Sequence, residues 1–120
     1  MRLFVILLIT LIPFNCFAFD EWSKQDIALQ ALYTGLHVTD WGQSRYITKH
    51  PDKYYEKNWV LGKYPSKDTV DIYFASTLVG HTLVTHMLPK DYRILWQFMT
   101  ILVELSVVPS NFNMGVKVDF

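Results

Sequence analysis

Two long apolar stretches, separated by a turn of three residues, constrain the fold of this chain most strongly. Thr69 to Leu88 contains one charged residue, Asp71, and its 20 residues would rise about 30 Å as a helix, the thickness of the hydrocarbon core of a bilayer. Tyr92 to Val108 follows directly and carries one interior acid, Glu104. A surface helix of a soluble bundle has a polar stripe, which the first stretch lacks. The pattern therefore predicts two membrane spans in an antiparallel hairpin.

A further helix is predicted before the hairpin, from Ser23 to Tyr46. Ser23 and Asp26 have the spacing of a capping box. The apolar centre of this helix, from Ile27 to Thr39, is short for a lipid-facing span and favours a helix sheltered by its neighbours. Pro109 is expected to end the last helix. The predicted fold class is thus all-α, a small helical membrane bundle, in keeping with an apolar fraction of 51% and a charged fraction of only 18%.

The N-terminus has the order of a secretory signal peptide. Arg2 precedes 17 uncharged residues, and Ala18 offers a small side chain for cleavage before Phe19. An uncleaved first transmembrane helix is the alternative, because 17 residues reach the lower limit for a span. Residues 1–18 are therefore a signal peptide or a first transmembrane helix, and residues 19–120 form a single helical membrane domain. Cys16 is the single cysteine, which excludes an internal disulfide and a cysteine-based zinc finger.

The loop predicted at residues 45–68 gives the chain an orientation. It holds six of the eleven basic residues: Arg45, Lys49, Lys53, Lys57, Lys63 and Lys67. By the positive-inside rule this basic loop is cytoplasmic, so we expect the protein in the bacterial inner membrane, with the periplasm as the alternative. The formal net charge is zero, which gives no field that would attract nucleic acid. The expected partners are membrane lipid and either another envelope protein or a second copy of the chain.

Polar residues recur at helical spacing within the apolar stretches, and such residues usually face a bundle interior. We expect the three helices to bring one polar cluster together. Its members would be Asp40, His81, Glu104 and Asn111, with His37, Gln43 and Gln97 beside them. Interhelical hydrogen bonding is one interpretation of this cluster. The other is chemistry at a metal ion or a water molecule, for which Asp40, His81 and Glu104 are the candidate ligands. No motif specific to a cofactor is present in the sequence.

Several short motifs together form a pattern that covers most of the chain. They are Asp40-Trp41-Gly42-Gln43-Ser44-Arg45, Asn58-Trp59-Val60-Leu61-Gly62, Pro65-Ser66, Gly80-His81, Trp96-Gln97, Glu104 and Asn111. The pattern resembles a family of small membrane proteins from proteobacteria and their phages, although Trp59 stands where that family has a proline. The resemblance implies a small integral membrane protein with no assigned activity. It also picks out Asp40, His81, Glu104 and Asn111.

The expected function is a non-enzymatic interaction or accessory role in the bacterial envelope. The phage context, which comes from the resemblance alone, suggests an action on the host envelope such as superinfection exclusion. Two alternatives belong to other classes. One is an intramembrane metal- or water-dependent enzyme that uses Asp40, His81 and Glu104, and the other is a soluble periplasmic helical binding domain.

Overall fold

The computed structural model describes residues 18–120, which form three helices: α1 (Lys24–Lys49), α2 (Lys67–Met87) and α3 (Lys90–Asn113). No strand occurs within these residues. The prediction of an all-α fold is therefore confirmed. The predicted signal peptide or first span lies outside the described residues except for Ala18.

Side-chain caps set where the first two helices begin. In α1, Asp26 N donates to Ser23 Oγ at 3.1 Å, and Ser23 N donates to Asp26 Oδ2 at 2.8 Å, which completes the predicted capping box. In α2, Ser66 Oγ accepts from Thr69 N at 3.1 Å. Because α1 continues to Lys49, the first five residues of the predicted basic loop are helical.

The expected end of α3 at Pro109 is wrong, because α3 continues through that proline to Asn113. A proline inside a helix removes one backbone hydrogen bond. Contacts with α1 hold the last turn: Gln43 Nε2 donates to Val108 O at 3.2 Å, and Asn111 Nδ2 donates to Gln43 Oε1 at 3.0 Å. These tertiary hydrogen bonds outweigh the local preference of proline.

The connection between α2 and α3 is only Leu88–Pro89, so the two helices run antiparallel. His81 Nε2 lies 2.9 Å from Thr100 Oγ1, and one turn nearer the connection Trp96 Nε1 donates to Thr85 Oγ1 at 3.1 Å. From the first of these pairs to the second, the residue number increases on α2 and decreases on α3, as it must for antiparallel helices. Beyond these contacts the two helices make little contact with each other.

Helix α1 packs against both other helices and runs parallel to α3. The parallel direction follows from two pairs, Asp26 with Arg93 near the start of both helices and His37 with Glu104 further along. Because α2 and α3 contact α1 more extensively than each other, they leave a groove between them. The floor of this groove is α1.

The C-terminal tail folds back on the end of α1 at Gly42. Asp119 N donates to Gly42 O at 3.1 Å, and Lys49 Nζ donates to Asp119 Oδ2 at 2.8 Å. The hydrogen bond from Lys49 holds the pKa of the Asp119 carboxyl below its usual value. The Phe120 ring meets the Trp41 ring edge-on, with the centroids 6.0 Å apart. Glycine at position 42 is what allows the tail to approach so closely.

Replacing Gly42 by alanine is expected to displace the tail. The added Cβ would lie 2.8 Å from Phe120 Cε2 and would overlap Val118 Cγ1. Overpacking costs about 1–3 kcal/mol, which raises the fraction of molecules with a released tail by roughly one order of magnitude or more. Carboxypeptidase digestion followed by mass spectrometry would detect this as faster loss of Phe120. Gly35→Ala is the matched control, because a Cβ there meets nothing within 4 Å; equal digestion of the two variants would contradict the tail contact.

Candidate functional site

The interior of the bundle is unusually polar. Within residues 18–120, ten apolar side chains are buried and eleven polar ones are buried with them. The buried polar residues are Asp26, Gln30, His37, Gln43, Ser44, His81, Thr85, Arg93, Gln97, Glu104 and Asn111. Arg93, Gln43 and Gln97 are each 0% exposed. Buried amides need hydrogen-bond partners, and charged side chains such as Arg93 are almost never fully buried in proteins unless they are paired.

The outward faces of the helices carry large apolar side chains instead. The exposed ones on the three helices are Ile27, Leu32, Ile72, Val79, Leu83, Tyr92, Ile94, Leu95, Phe98, Leu102, Leu105 and Phe112. Ile72 is 68% exposed and Phe98 is 55% exposed. Apolar patches of this extent mark surfaces that meet a membrane or another protein. Among the described helices, one, α3, is long and apolar enough by length and composition to cross a membrane, whereas α2, predicted as a span, does not reach that level.

Arg93 ties together the end of the bundle where α2 meets α3. Its Nη1 donates to Asp26 Oδ2 at 3.0 Å, and its Nε donates to Thr85 O at 2.8 Å. Further donations reach Asp20 O at 2.9 Å and Leu88 O at 3.1 Å. The guanidinium therefore binds carbonyls at the C-terminal end of α2, where a positive charge is favourable to the helix dipole. It also holds the segment that precedes α1.

The pairing of Arg93 with Asp26 is absent from the sequence analysis. Asp26 is noted there only as a capping residue, and Arg93 is not among the members of the predicted polar cluster. A usable signal exists, since Arg93 is the only basic residue between Lys90 and Lys117. A lone charge inside an apolar stretch is expected to face the bundle interior and to have a partner.

His37 and Glu104 form the centre of the bundle. His37 Nδ1 lies 2.6 Å from Glu104 Oε1, and His37 Nε2 lies 3.0 Å from Thr77 Oγ1. One polar residue from each helix therefore meets at this level. The carboxyl of Asp40 lies beside that of Glu104 and interacts with it. Glu104 Oε2 is buried and has no hydrogen-bond partner among the described residues.

His81 lies in a separate layer of stacked rings. The Tyr33 ring is 3.6 Å from the His81 ring, centroid to centroid, and the Trp96 ring also stacks on His81, with the centroids 5.1 Å apart. His37 continues the stack beyond Tyr33, with centroids 5.2 Å apart. Tyr33 thus stands between the two histidines.

The structure distributes the predicted cluster over four levels along the bundle. Gln97 Nε2 donates to Asp26 O at 2.9 Å in the Arg93 level. The ring stack contains His81. The next level contains His37, Asp40 and Glu104, and beyond it Asn111 pairs with Gln43. Asp40 and Glu104 are thus brought together, but His81 is not brought to them. Within residues 18–120, no three His, Cys, Asp or Glu side chains are placed so that they could hold a metal ion.

Removing the hydroxyl of Thr85 is expected to destabilise the ring layer. Thr85 is 0% exposed, and its Oγ1 accepts from Trp96 Nε1. Thr85→Val keeps the shape but leaves the buried indole N–H without an acceptor, at a cost of about 1–3 kcal/mol in the free energy of unfolding. Unfolding by sodium dodecyl sulfate in mixed micelles measures this loss. Thr39→Val is the control, because that hydroxyl bonds only Gly35 O of its own helix, and an equal loss in both variants would contradict the role of Thr85.

A groove of about 1280 Å³ opens between α2 and α3. Tyr33, His37 and Asp40 of α1 line its floor, and Glu104 of α3 also faces it. Along α3 its lining extends from Trp96 to Asn111, and the loop after α1 lines one end. The groove therefore reaches the level of the central carboxyls, although Glu104 itself is only 6% exposed.

No protein-family model, curated protein or solved structure matches this chain. The geometry of the bundle and of the groove is therefore the basis for the function proposed below.

Proposed function

We propose that this chain is a small integral membrane protein of the bacterial inner membrane with a non-enzymatic interaction or accessory role. The observation that carries the proposal is the inverted polarity of the bundle: ions and amides inside, large apolar side chains outside. In water this arrangement would expose the apolar faces and bury the groups that water hydrates best. In lipid it is the favourable arrangement, because polar residues within a membrane face the bundle interior.

That α1 and α2 do not reach the hydropathy of a membrane span is compatible with this proposal. Both helices place polar side chains inward, for example His37 on α1 and His81 and Thr85 on α2. These residues lower the mean hydropathy of a helix without touching lipid. The large exposed side chains in the middle of α2, such as Ile72, Val79 and Leu83, are apolar, and the exposed polar side chains between them are small. Composition alone thus underestimates how apolar the lipid-facing surface is.

The pairing of the buried charges favours a structural interior over a catalytic one. Arg93 has Asp26 and backbone carbonyls as partners, and Asn111 has Gln43. Paired groups of this kind hold helices together, at about 0.6–2 kcal/mol for each interhelical hydrogen bond. In the proposed topology the basic loop faces the cytoplasm, so α1 and α3 run inward and α2 runs outward.

Alkaline carbonate extraction of the full-length, epitope-tagged protein from bacterial membranes tests the proposal. We expect the protein to remain in the membrane pellet together with a known integral protein, while a peripheral control protein is released. Release of the tagged chain into the soluble fraction would contradict the proposal. The mass of the retained protein also tests the predicted cleavage, since a mature chain that begins at Phe19 lacks the first 18 residues.

A narrower role in superinfection exclusion is proposed from the family resemblance. Expression of the chain before infection is then expected to lower plaque formation by a phage that delivers its DNA across the inner membrane. An equal number of plaques with and without the chain would contradict this narrower role and leave the membrane location unaffected.

A further inference from the structure

The groove between α2 and α3 is longer than one leaflet of a bilayer is deep. Along α3 its lining runs from Trp96 to Asn111, a separation of 15 positions or about 22 Å at the helical rise of 1.5 Å per residue. One leaflet contributes half of the hydrocarbon core, about 15 Å. The volume of about 1280 Å³ exceeds the roughly 300–1,000 Å³ usual for small-molecule sites, so the groove suits a longer molecule.

The walls of the groove present mainly apolar side chains. Val84 of α2 and Val103 and Val107 of α3 line the groove and are only half-buried. The hydroxyls of Thr77 and Ser106 also lie on these walls, and they donate to carbonyls of their own helices at 2.8 Å and 2.6 Å. The walls therefore accept an apolar chain without leaving these two hydroxyl donors unsatisfied.

The carboxyls on the floor of the groove are engaged within the bundle. Glu104 is 6% exposed, its Oε1 lies 2.6 Å from His37 Nδ1, and its other oxygen is buried. Asp40 is half-buried, and its carboxyl interacts with that of Glu104. The middle of the groove thus holds these groups below its open surface, between apolar walls.

The loop end of the groove carries two lysines without acidic partners. Lys53 and Lys57 line this end, both are exposed, and neither forms an ion pair within residues 18–120. The acid beside them, Glu56, has other partners: its Oε2 accepts from Ser44 Oγ at 2.8 Å and its Oε1 from Asn58 N at 2.9 Å. The two ammonium groups are therefore available to an anion from outside the chain.

In the proposed topology this end of the groove lies at the cytoplasmic leaflet, because the loop after α1 is the basic loop. Lysines near that surface attract anionic lipid, and basic pockets between membrane helices on the cytoplasmic side bind anionic headgroups. Positive charge at one end and an apolar channel that leads away from it match the two parts of a phospholipid. A zwitterionic headgroup would bring its own ammonium group to the lysines and is less favourable there.

We propose that the groove between α2 and α3 binds one anionic phospholipid, with its phosphate at Lys53 and Lys57 and an acyl chain along the valine walls. Phosphatidylglycerol has this chemistry. The inference names a lipid partner for the interaction role proposed above and rests on the proposed membrane location.

Native mass spectrometry of the detergent-solubilised protein tests this site. The protein is expressed from the full-length sequence, purified from carbonate-washed membranes and stripped of lipid. It is then titrated with phosphatidylglycerol or with phosphatidylethanolamine that has the same acyl chains. We expect one phosphatidylglycerol per chain to bind at least about tenfold more tightly than the zwitterionic lipid.

Two double variants with the same change in charge locate the headgroup. Lys53→Gln, Lys57→Gln is expected to weaken phosphatidylglycerol binding about tenfold or more, since each lysine near a headgroup contributes about fivefold. Lys63→Gln, Lys67→Gln is the matched control, because both residues are exposed in the same basic loop and neither lines the groove. The control should leave the affinity nearly unchanged.

A second pair of variants locates the acyl chain without altering a charge. Gly80 lines the groove, and a Cβ there meets nothing within 4 Å, so Gly80→Leu places a side chain where the acyl chain would lie. Gly35→Leu is the matched control, since a Cβ at Gly35 also meets nothing within 4 Å and Gly35 does not line the groove. Phosphatidylglycerol binding should fall in the first variant and persist in the second.

Equal affinity for the two lipids, equal losses in the two lysine variants, or full binding in Gly80→Leu would overturn the inference. A dimer that excludes the lipid would also overturn it and would identify a second copy of the chain as the occupant of the groove. Release during the carbonate wash would instead contradict the proposed membrane location. A protein that stays in the washed membranes but shows no lipid preference overturns this inference alone.

Discussion

Replacing Arg93 by leucine is expected to destabilise the bundle by about 3–5 kcal/mol, the usual cost of removing one partner from a buried ion pair. Asp26 would lose its charged partner at a position that is 1% exposed. The carbonyls of Thr85 and Leu88 at the end of α2 would lose a donor at the same time. Unfolding by sodium dodecyl sulfate in mixed micelles, followed by circular dichroism, measures the change.

Two further variants separate the geometry of Arg93 from its charge. Arg93→Lys is expected to recover only part of the stability, because an ammonium cannot reproduce the planar fork that reaches Asp26 and the carbonyls together. Lys117→Leu, at an exposed position of the tail, should change the free energy of unfolding by less than about 0.5 kcal/mol. An Arg93→Leu protein as stable as Lys117→Leu would show that the buried pair does not hold the helices together.

Replacing His37 by leucine is expected to cost about 2–3 kcal/mol in the free energy of unfolding. The Glu104 carboxyl, which belongs to a residue that is 6% exposed, would then lose its hydrogen bond to the imidazole. Hydrogen bonds to charged groups contribute about 1.5–3 kcal/mol, and leaving such a group without its partner costs more. The loss of the contact between His37 Nε2 and Thr77 Oγ1 adds to this.

The double variant His37→Leu, Glu104→Leu tests whether the cost comes from the orphaned carboxyl. Replacing both partners of a buried polar pair by apolar residues is often nearly neutral. We therefore expect the double variant to be more stable than His37→Leu alone, with a coupling energy of about 1–3 kcal/mol. Strictly additive losses would contradict a direct interaction between the two side chains.

Local sequence signals predict the helices and the faces that point inward. The Ser23 and Asp26 capping box marks the start of α1 that the structure contains. Helical spacing correctly places His37 and Glu104 on inward faces. These features depend on residues within one or two turns of each other, so the sequence alone is sufficient to identify them.

The depth at which polar residues meet could not be derived in the same way. Spacing gives the face of a residue, whereas the partner depends on the register between helices. Helical spacing groups His81 with Glu104, but the register of the helices places His37 against Glu104, and Tyr33 stacks on both imidazoles. Pro109 was misjudged for a similar reason, since the contact of Asn111 with α1 is not visible locally. The groove likewise results from how α2 and α3 diverge on α1.

Cysteine accessibility in intact membranes tests the inverted polarity of the bundle most directly. Single cysteines replace Val79 and Leu102, which are 59% and 46% exposed near the middle of α2 and α3, in a Cys16→Ser background. Lys53→Cys in the loop is the control. We predict that a membrane-impermeant maleimide, applied to inside-out vesicles, labels the loop cysteine and leaves both helix cysteines unlabelled until the membrane is dissolved in sodium dodecyl sulfate. Equally fast labelling of all three positions in intact vesicles would show that the apolar faces meet water, and would contradict the account of this chain as a lipid-embedded bundle.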